Sequence, residues 1–303
     1  MHTELVYAFF YFILTGCNLE MKILYWLSLC FVLLSCVDRN TKSVMKDTTK
    51  VQQTVVPEFQ AILDSAQVKG AILIYDLETD QWYSNNFNWA KKGQLPASTF
   101  KIPNSVIAIE TGVVKNDSTL FRWDGEPRAL KNWEQDLTLR DAFHFSCVPC
   151  YQEVARDIGV KTMKEYLGKL DYGEMKVDST NIAIFWLEGE SRINQLQQVD
   201  FLKRLYLSEL PISKHTVSIM KRMMVMETNG TYTLSGKTGW SISNNQNNGW
   251  FVGYLETQDK VYFFATNIEP SGTFDKDHFI RIRKDVTYKA FRELGITKVY
   301  TYP

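Results

Sequence analysis

Apolar and polar positions change their period along this chain in three blocks. The run 68–77 is apolar and rich in β-formers, and Thr79-Asp80 separates it from Gln81-Trp82-Tyr83. That pattern predicts a hairpin and the start of an antiparallel sheet. From Ser98 to about residue 222 the signals are mostly helical: apolar positions cluster at 106–113, 139–145, 151–158 and 163–170, and 194–207 repeats at helical spacing. Strand signals return at Tyr232-Thr233-Leu234, 250–255 and 261–266, the last two bridged by Thr257-Gln258-Asp259. An amphipathic helix is expected over 277–294. This order predicts an α+β fold, an antiparallel β-sheet flanked by helices with an inserted helical lobe. A cleft between two such lobes is a usual ligand site.

The runs 5–14 and 23–34 are apolar but short for a bilayer crossing. The second follows Met21 and Lys22 and ends in Leu33-Leu34-Ser35-Cys36, the form of an export signal. It resembles a bacterial lipoprotein signal with Cys36 as the lipidated residue and Met21 as the start of translation. Leu14-Thr15-Gly16-Cys17 is a second cleavage box, but no positive charge precedes it. The alternative is an anchor helix that is never cleaved, and either reading places most of the chain outside the cytoplasm, periplasmic or anchored facing the periplasm. The chain is thus expected to divide into an export signal at 1–36, a polar tether at 37–55 and a catalytic domain at 56–303.

Composition removes several classes of function. With 45% hydrophobic residues the chain is no disordered or fibrous protein. Its 34 basic and 34 acidic side chains cancel, so no global field recruits nucleic acid or an anionic surface. Of five cysteines, Cys147 and Cys150 alone lie beyond the targeting region. Their spacing matches redox dithiols, but no thioredoxin-like setting surrounds them, so two small buried thiols are expected, with an oxidised pair as the alternative.

A serine followed three residues later by lysine puts hydroxyl and amine on one face of a helical turn, where the amine can take the hydroxyl proton. Ser43 to Lys46, Ser218 to Lys221 and Ser98 to Lys101 all match. Only Ser98-Thr99-Phe100-Lys101 stands between a sheet segment and a helix, and Pro103 is expected to stop that turn from continuing smoothly. Ser146 lies in Ser-Cys-Val-Pro between two helices, where a capping serine is the plain alternative. Lys237-Thr238-Gly239 follows a strand-like run, and its glycine would let a ligand or another backbone approach.

In this order, Ser-x-x-Lys, Ser-x-Val and Lys-Thr-Gly resemble the penicillin-recognising serine enzymes. Ser146-Cys147-Val148 resembles the class D, oxacillinase-type β-lactamases, as do Tyr172-Gly173, Phe185-Trp186-Leu187-Glu188-Gly189, Gln198-Val199-Asp200-Phe201-Leu202 and Gly249-Trp250-Phe251-Val252-Gly253-Tyr254. The likeness covers about residues 60–294. Two departures are Glu174, where the family usually has asparagine, and Cys147, where a small aliphatic residue is more usual.

The resemblance implies hydrolysis of β-lactam antibiotics, and so resistance to them, through an acyl-enzyme on Ser98. Lys101 would be the base, N-carboxylated by CO2 or bicarbonate once burial beside Phe100, Val148 and Trp186 keeps its amine neutral. The Trp186 N–H would hold that group, a core aromatic being the alternative. Ser146 would relay a proton, Lys237 would keep the site positive, and the N–H groups of Ser98 and Trp240 would form the oxyanion hole. Thr238, beside Gly239, and Arg283 would meet the substrate carboxylate, with Arg281 as the fallback, and Trp133 would wall the cleft unless it is a core tryptophan. No metal or diffusible cofactor is implied. The alternative is a β-lactam sensor or penicillin-binding domain that acylates without turnover. A sensor would carry several membrane helices, and a cell-wall peptidase would have Ser-x-Asn where this chain has Ser146-Cys147-Val148.

Overall fold

The computed structural model describes residues 52–243, 245–272 and 275–297. The expected export signal, with Cys17, Cys30 and Cys36, and the tether up to residue 51 lie outside the described residues. Gln52–Val55, assigned by composition to the tether, form a fully exposed edge strand, β1, that runs parallel to β3 (Gln81–Ser84).

The other ladders of the main sheet are antiparallel. Its order is β1, β3, β2 (Val68–Asp76), β9 (Val261–Pro270), β8 (Gln246–Thr257), β7 (Tyr232–Ser243), β6 (Val225–Thr228). The expected hairpins are present, though the last strands run further than the patterning marks. Strand β2 reads as a nearly continuous apolar run because both faces of the sheet are covered. One face packs on α1 (Pro57–Ser65) and the closing helix α9 (Lys276–Glu293), burying Phe59, Phe264, Phe279, Val286 and Phe291. The other face meets α2 (Phe87–Ala90), α7 (Gln195–Tyr206) and the helical lobe in a larger apolar cluster that includes Phe100, Val106, Tyr151, Phe201 and Trp250.

The lobe is built around α3, Lys101–Glu110, whose residues from Lys101 to Ile109 are all buried. A helix buried all round belongs at the centre of a lobe, and here the polar Lys101, Asn104 and Ser105 are enclosed with the apolar residues. It starts five residues before the expected 106–113, and Pro103 does not interrupt it. The proline falls in the first turn, where backbone N–H groups have no intrahelical acceptor to lose. Around it lie α4 (Leu139–His144), α5 (Val148–Ile158), α6 (Val160–Leu170) and α8 (Lys214–Met224), with a small ribbon of β4 (Leu120–Phe121) and β5 (Leu137–Thr138). Local chemistry sets the helix starts. Thr138 and Asp141 form a reciprocal cap on α4, Asn194 and Gln197 do the same on α7, and Pro149 opens α5.

Asp117 ties the lobe together. Its carboxylate takes Arg140 of α4 at 2.6 Å and Arg222 of α8 at 2.7 Å. Burial alone would raise this carboxyl, but the hydrogen bonds and charges of Arg222 and Arg140 outweigh it and hold it below the ordinary value. Asp117→Ala is therefore expected to cost about 1–3 kcal/mol in urea unfolding at neutral pH, the lower half being favoured because both guanidiniums are half exposed to solvent. A depressed carboxyl stabilises above its unfolded pKa and loses that contribution as pH falls through its folded one. The gap between wild type and variant should accordingly close on acidification, and a gap independent of pH would dismiss the ionic tie.

Candidate active site

Strand β6 pairs only with Thr233, Leu234 and Ser235 of β7. From Gly236 onward the outer edge of β7 is therefore not paired with β6, and the 3-10 turn Ala97–Phe100 packs against that strand. Gly239 permits the approach. A Cβ there would lie 3.1 Å from Thr99 Cγ2 and 3.2 Å from both the Pro96 carbonyl oxygen and the Thr99 nitrogen. Lys237-Thr238-Gly239 thus stands mid-strand, opposite Val252, Phe251 and Trp250, and not at the strand end its flanking pattern suggested.

The turn carrying Ser98 is held from several sides. Ala97 has φ 51°, a left-handed conformation that a non-glycine residue keeps only where its surroundings over-determine it. Its N–H donates to the Trp186 carbonyl at 2.8 Å. Thr99 Oγ1 donates to the Pro96 carbonyl at 2.6 Å and accepts from Gln198 Nε2 at 2.9 Å, while Tyr172 donates to Gln198 at 3.3 Å. The Trp250 indole and the Asn248 amide both donate to the Leu95 carbonyl at 2.8 Å. Phe100 stacks on Trp186 at 5.4 Å and meets the edges of Phe185 and Tyr172. Segments that in the sequence were only marks of resemblance therefore build the wall behind Ser98.

Ser98 is 8% exposed and accepts a hydrogen bond from Lys101 Nζ at 3.1 Å. Lys101 is fully buried, and burial pushes its amine from the ordinary lysine value down to about 7. Its nitrogen lies 5.0 Å from the centre of the Tyr151 ring. Lys237 is also buried, and its amine donates to Ser146 Oγ and to the Thr238 carbonyl. Burial first, then the charges of Lys101 and Arg283, hold the Lys237 amine well below its usual range. Two hydroxyls and two amines from three distant stretches thus meet beside the free edge of β7.

The remaining expected residues are distributed around this group. Val148 is the first residue of α5, two after Ser146. Trp186 is wholly buried, with an indole N–H that has no partner among the described residues. Thr238 and Trp240 are half buried on β7, and the Trp240 indole donates to Asn247 at 2.9 Å. Arg283 is 7% exposed and reaches the strand from α9, donating to the Gly239 carbonyl at 2.7 Å. Gly249 makes room for it, since a Cβ there would fall 3.0 Å from Arg283 Cδ and 2.7 Å from the Phe279 ring. Burial lowers the guanidinium to about 10. Arg281 shares that helix. The Trp133 indole donates to the Phe145 carbonyl at 2.9 Å, which ties the lobe's outer loop to the peptide before Ser146.

Cys147 and Cys150 are joined in a disulfide and are not two free thiols. With Cys147 as the N-cap of α5 and Cys150 in its first turn, the helix brings the two sulfurs together across three residues, a proximity that one helical turn supplies without a thioredoxin-like setting. The departure at Glu174 leaves the local backbone paired, with the N–H groups of Glu174 and Arg192 donating to each other's carbonyls at 2.7 and 2.8 Å. Sequence reasoning missed Thr99, Gln198 and Tyr151. The first two lay within quoted motifs, while nothing in its neighbours marked Tyr151.

The family model of the penicillin binding protein transpeptidase domain matches residues 65–289. Fold and site thereby define a penicillin-recognising serine enzyme. The β-lactamase OXA-10 of Pseudomonas aeruginosa is 41% identical over 232 residues, 76% of this chain and 85% of that protein. The probable β-lactamase YbxI of Bacillus subtilis is 39% identical over 215 residues, 71% of this chain and 80% of that one. Among solved structures, the class D β-lactamase of Sebaldella termitidis superposes with a TM-score of 0.78 at 38% identity, covering 82% of this chain and 99% of its own. The chain belongs to the class D β-lactamases, serine hydrolases of the oxacillinase type.

A buried neutral amine has a measurable cost. At ~1.36 kcal/mol per tenfold, the drop to about 7 amounts to about 5 kcal/mol at and below neutral pH. Between the ordinary lysine value and the folded one, the unfolded chain binds a proton that the folded chain does not, so stability falls as pH falls. Lys101→Met is expected to be more stable than wild type by a few kcal/mol at pH 7 in bicarbonate-depleted buffer, with the difference narrowing towards pH 10. Urea unfolding at both pH values measures this, and equal stability throughout would mean that the amine keeps its water.

Proposed function

We propose that this chain hydrolyses the amide bond of β-lactams through an acyl-enzyme on Ser98 and so confers resistance to them. The observation that carries the reading is the buried Lys101 amine, 3.1 Å from Ser98 Oγ and disfavoured as an ammonium. A neutral lysine is both a base and a nucleophile towards CO2. The fully buried Trp186 N–H, which lacks a partner among the described residues, suits an acceptor on that lysine. N-carboxylated, Lys101 would supply a carboxylate base beside Ser98, with Trp186 holding it.

Ser98 Oγ attacks the lactam carbonyl, and its proton leaves on the Lys101 side. The backbone N–H groups of Ser98 and Trp240 receive the developing oxyanion, each donor being worth ~2.7–4 kcal/mol. Ser146, bonded to Lys237, passes a proton to the departing ring nitrogen. Thr238 and Arg283 take the substrate carboxylate, with Lys237 keeping the site positive, and Trp133 and Val148 border the cleft. The relatives named β-lactamases favour turnover over a persistent adduct. The Cys147–Cys150 disulfide accords with an exported protein, because such bonds persist in oxidising compartments. We place the mature enzyme in the periplasm, as a domain from about residue 56 held by a lipid anchor at Cys36.

Ser98→Ala is expected to abolish hydrolysis of a chromogenic cephalosporin, and Lys101→Ala to acylate slowly and keep the adduct, which intact-protein mass spectrometry would show as added substrate mass. Full turnover in either variant overturns these roles, while a stable adduct on the wild type would make the chain a sensor or penicillin-binding domain. Turnover is expected to fall in CO2-depleted buffer, to recover with bicarbonate, and to fall as pH drops through about 7, where Lys101 takes up a proton. Indifference to bicarbonate would remove the carboxylated lysine from the scheme.

A further inference from the structure

Ser146 has φ 55°, a conformation uncommon for a non-glycine residue. Its own N–H donates to the Phe143 carbonyl at 3.2 Å, and the carbonyl before it, Phe145, accepts from Trp133. The residue after it is tied more firmly. The Cys147 N–H donates to the Ala142 carbonyl at 2.8 Å, its sulfur accepts the Cys150 N–H at 3.3 Å, and that same sulfur is bonded to Cys150. The disulfide therefore closes a one-turn loop at the N-terminus of α5, directly beside the hydroxyl that Lys237 contacts.

We infer that the Cys147–Cys150 disulfide is a positioning device for Ser146, so that turnover of this enzyme depends on the redox state of that bond. The inference rests on the proposed role of Ser146 in proton transfer. Cys147 is 1% exposed whereas Cys150 is half buried, so an external dithiol meets the Cys150 sulfur first. A thiolate of the dithiol attacks that sulfur, the protein S–S bond breaks, and Cys147 leaves as a thiolate that keeps the Cys150 N–H at the start of α5. The dithiol's second thiol then displaces Cys150. Both cysteines end protonated with the dithiol's two protons, and the dithiol is oxidised to its own disulfide. With the bond open, Cys147 is held by hydrogen bonds alone: its N–H on the Ala142 carbonyl, its carbonyl under the Tyr151 N–H and its sulfur under the Cys150 N–H. The Ser146 hydroxyl then spends less time on Lys237, and since a misplacement of about 1 Å at a reacting group can cost ~100-fold in rate, a loss of about tenfold or more is expected.

The test uses the full chain, treated with dithiothreitol and desalted anaerobically, with alkylation and peptide mass spectrometry reporting the state of Cys147 and Cys150. Complete reduction is expected to lower kcat for a chromogenic cephalosporin about tenfold or more, with KM within about twofold, and reoxidation to restore it. The double variant Cys147→Ser/Cys150→Ser should match the reduced enzyme and ignore dithiothreitol, which also covers a bond that resists reduction in the folded state. In Ser146→Ala, assayed at high enzyme concentration, the residual rate should be the same in both redox states. An unchanged kcat after complete reduction, alkylatable thiols before any reduction, or an equal fractional loss in Ser146→Ala would each overturn the inference, the last by showing a general structural tie. Full activity of oxidised Ser146→Ala would instead fail the proposed role of Ser146, a separate result.

Discussion

The burial of one amine organises this domain. Lys101 carries no exposed surface, and its nitrogen touches a serine hydroxyl and an aromatic ring where water would otherwise solvate it. Removing water from a lysine makes the ammonium costly, so the helix that carries it must be enclosed on every side. That requirement explains why α3 is buried along nearly its whole length, why Phe100 stacks on Trp186, and why the lobe closes over the sheet. Stability given up at Lys101 is recovered in the apolar cluster around it, where Phe185, Phe201, Tyr172 and Trp250 are almost wholly buried.

Both serines of the site sit beside or in a left-handed backbone conformation. Ala97 precedes Ser98 with φ 51°, and Ser146 itself has φ 55°. Such conformations persist where neighbouring bonds leave the chain no alternative. At Ala97 those bonds are the Trp186 carbonyl, the Thr99–Gln198–Tyr172 chain and the double capture of the Leu95 carbonyl. At Ser146 they are Trp133, the end of α4 and the disulfide. The two glycines do the complementary work of removing atoms. Gly239 lets β7 reach the Ser98 turn, and Gly249 lets Arg283 reach β7. Charge follows from this packing, since Lys101 and Arg283 stand close enough to Lys237 to add to burial in opposing its protonation.

Much of this was legible before the structure. β-rich runs, helical periods and the family resemblance carried by the Ser-x-x-Lys, Ser-x-Val and Lys-Thr-Gly elements led to the α+β fold with its helical lobe and singled out Ser98, Lys101, Ser146 and Lys237, which the folded chain brings together. Periodicity and short motifs are local properties, which one stretch of chain expresses unaided. Where neighbours in space decide, the reading fell short. β1 reads as polar tether because an exposed edge strand has no face to bury. Pro103 reads as a stop because its place in the first turn depends on where α3 begins.

The amino-acid order by itself determined which chemical groups are available and the elements that carry them. Only the tertiary structure decided that Lys101 is dry, that Cys147 and Cys150 are bonded, that Gln198 braces Thr99, and that Arg283 reaches the back of Gly239. Each of these depends on residues far apart in the chain or on the exclusion of water by the whole packed lobe, and desolvation belongs to the assembled environment of a side chain and not to its type.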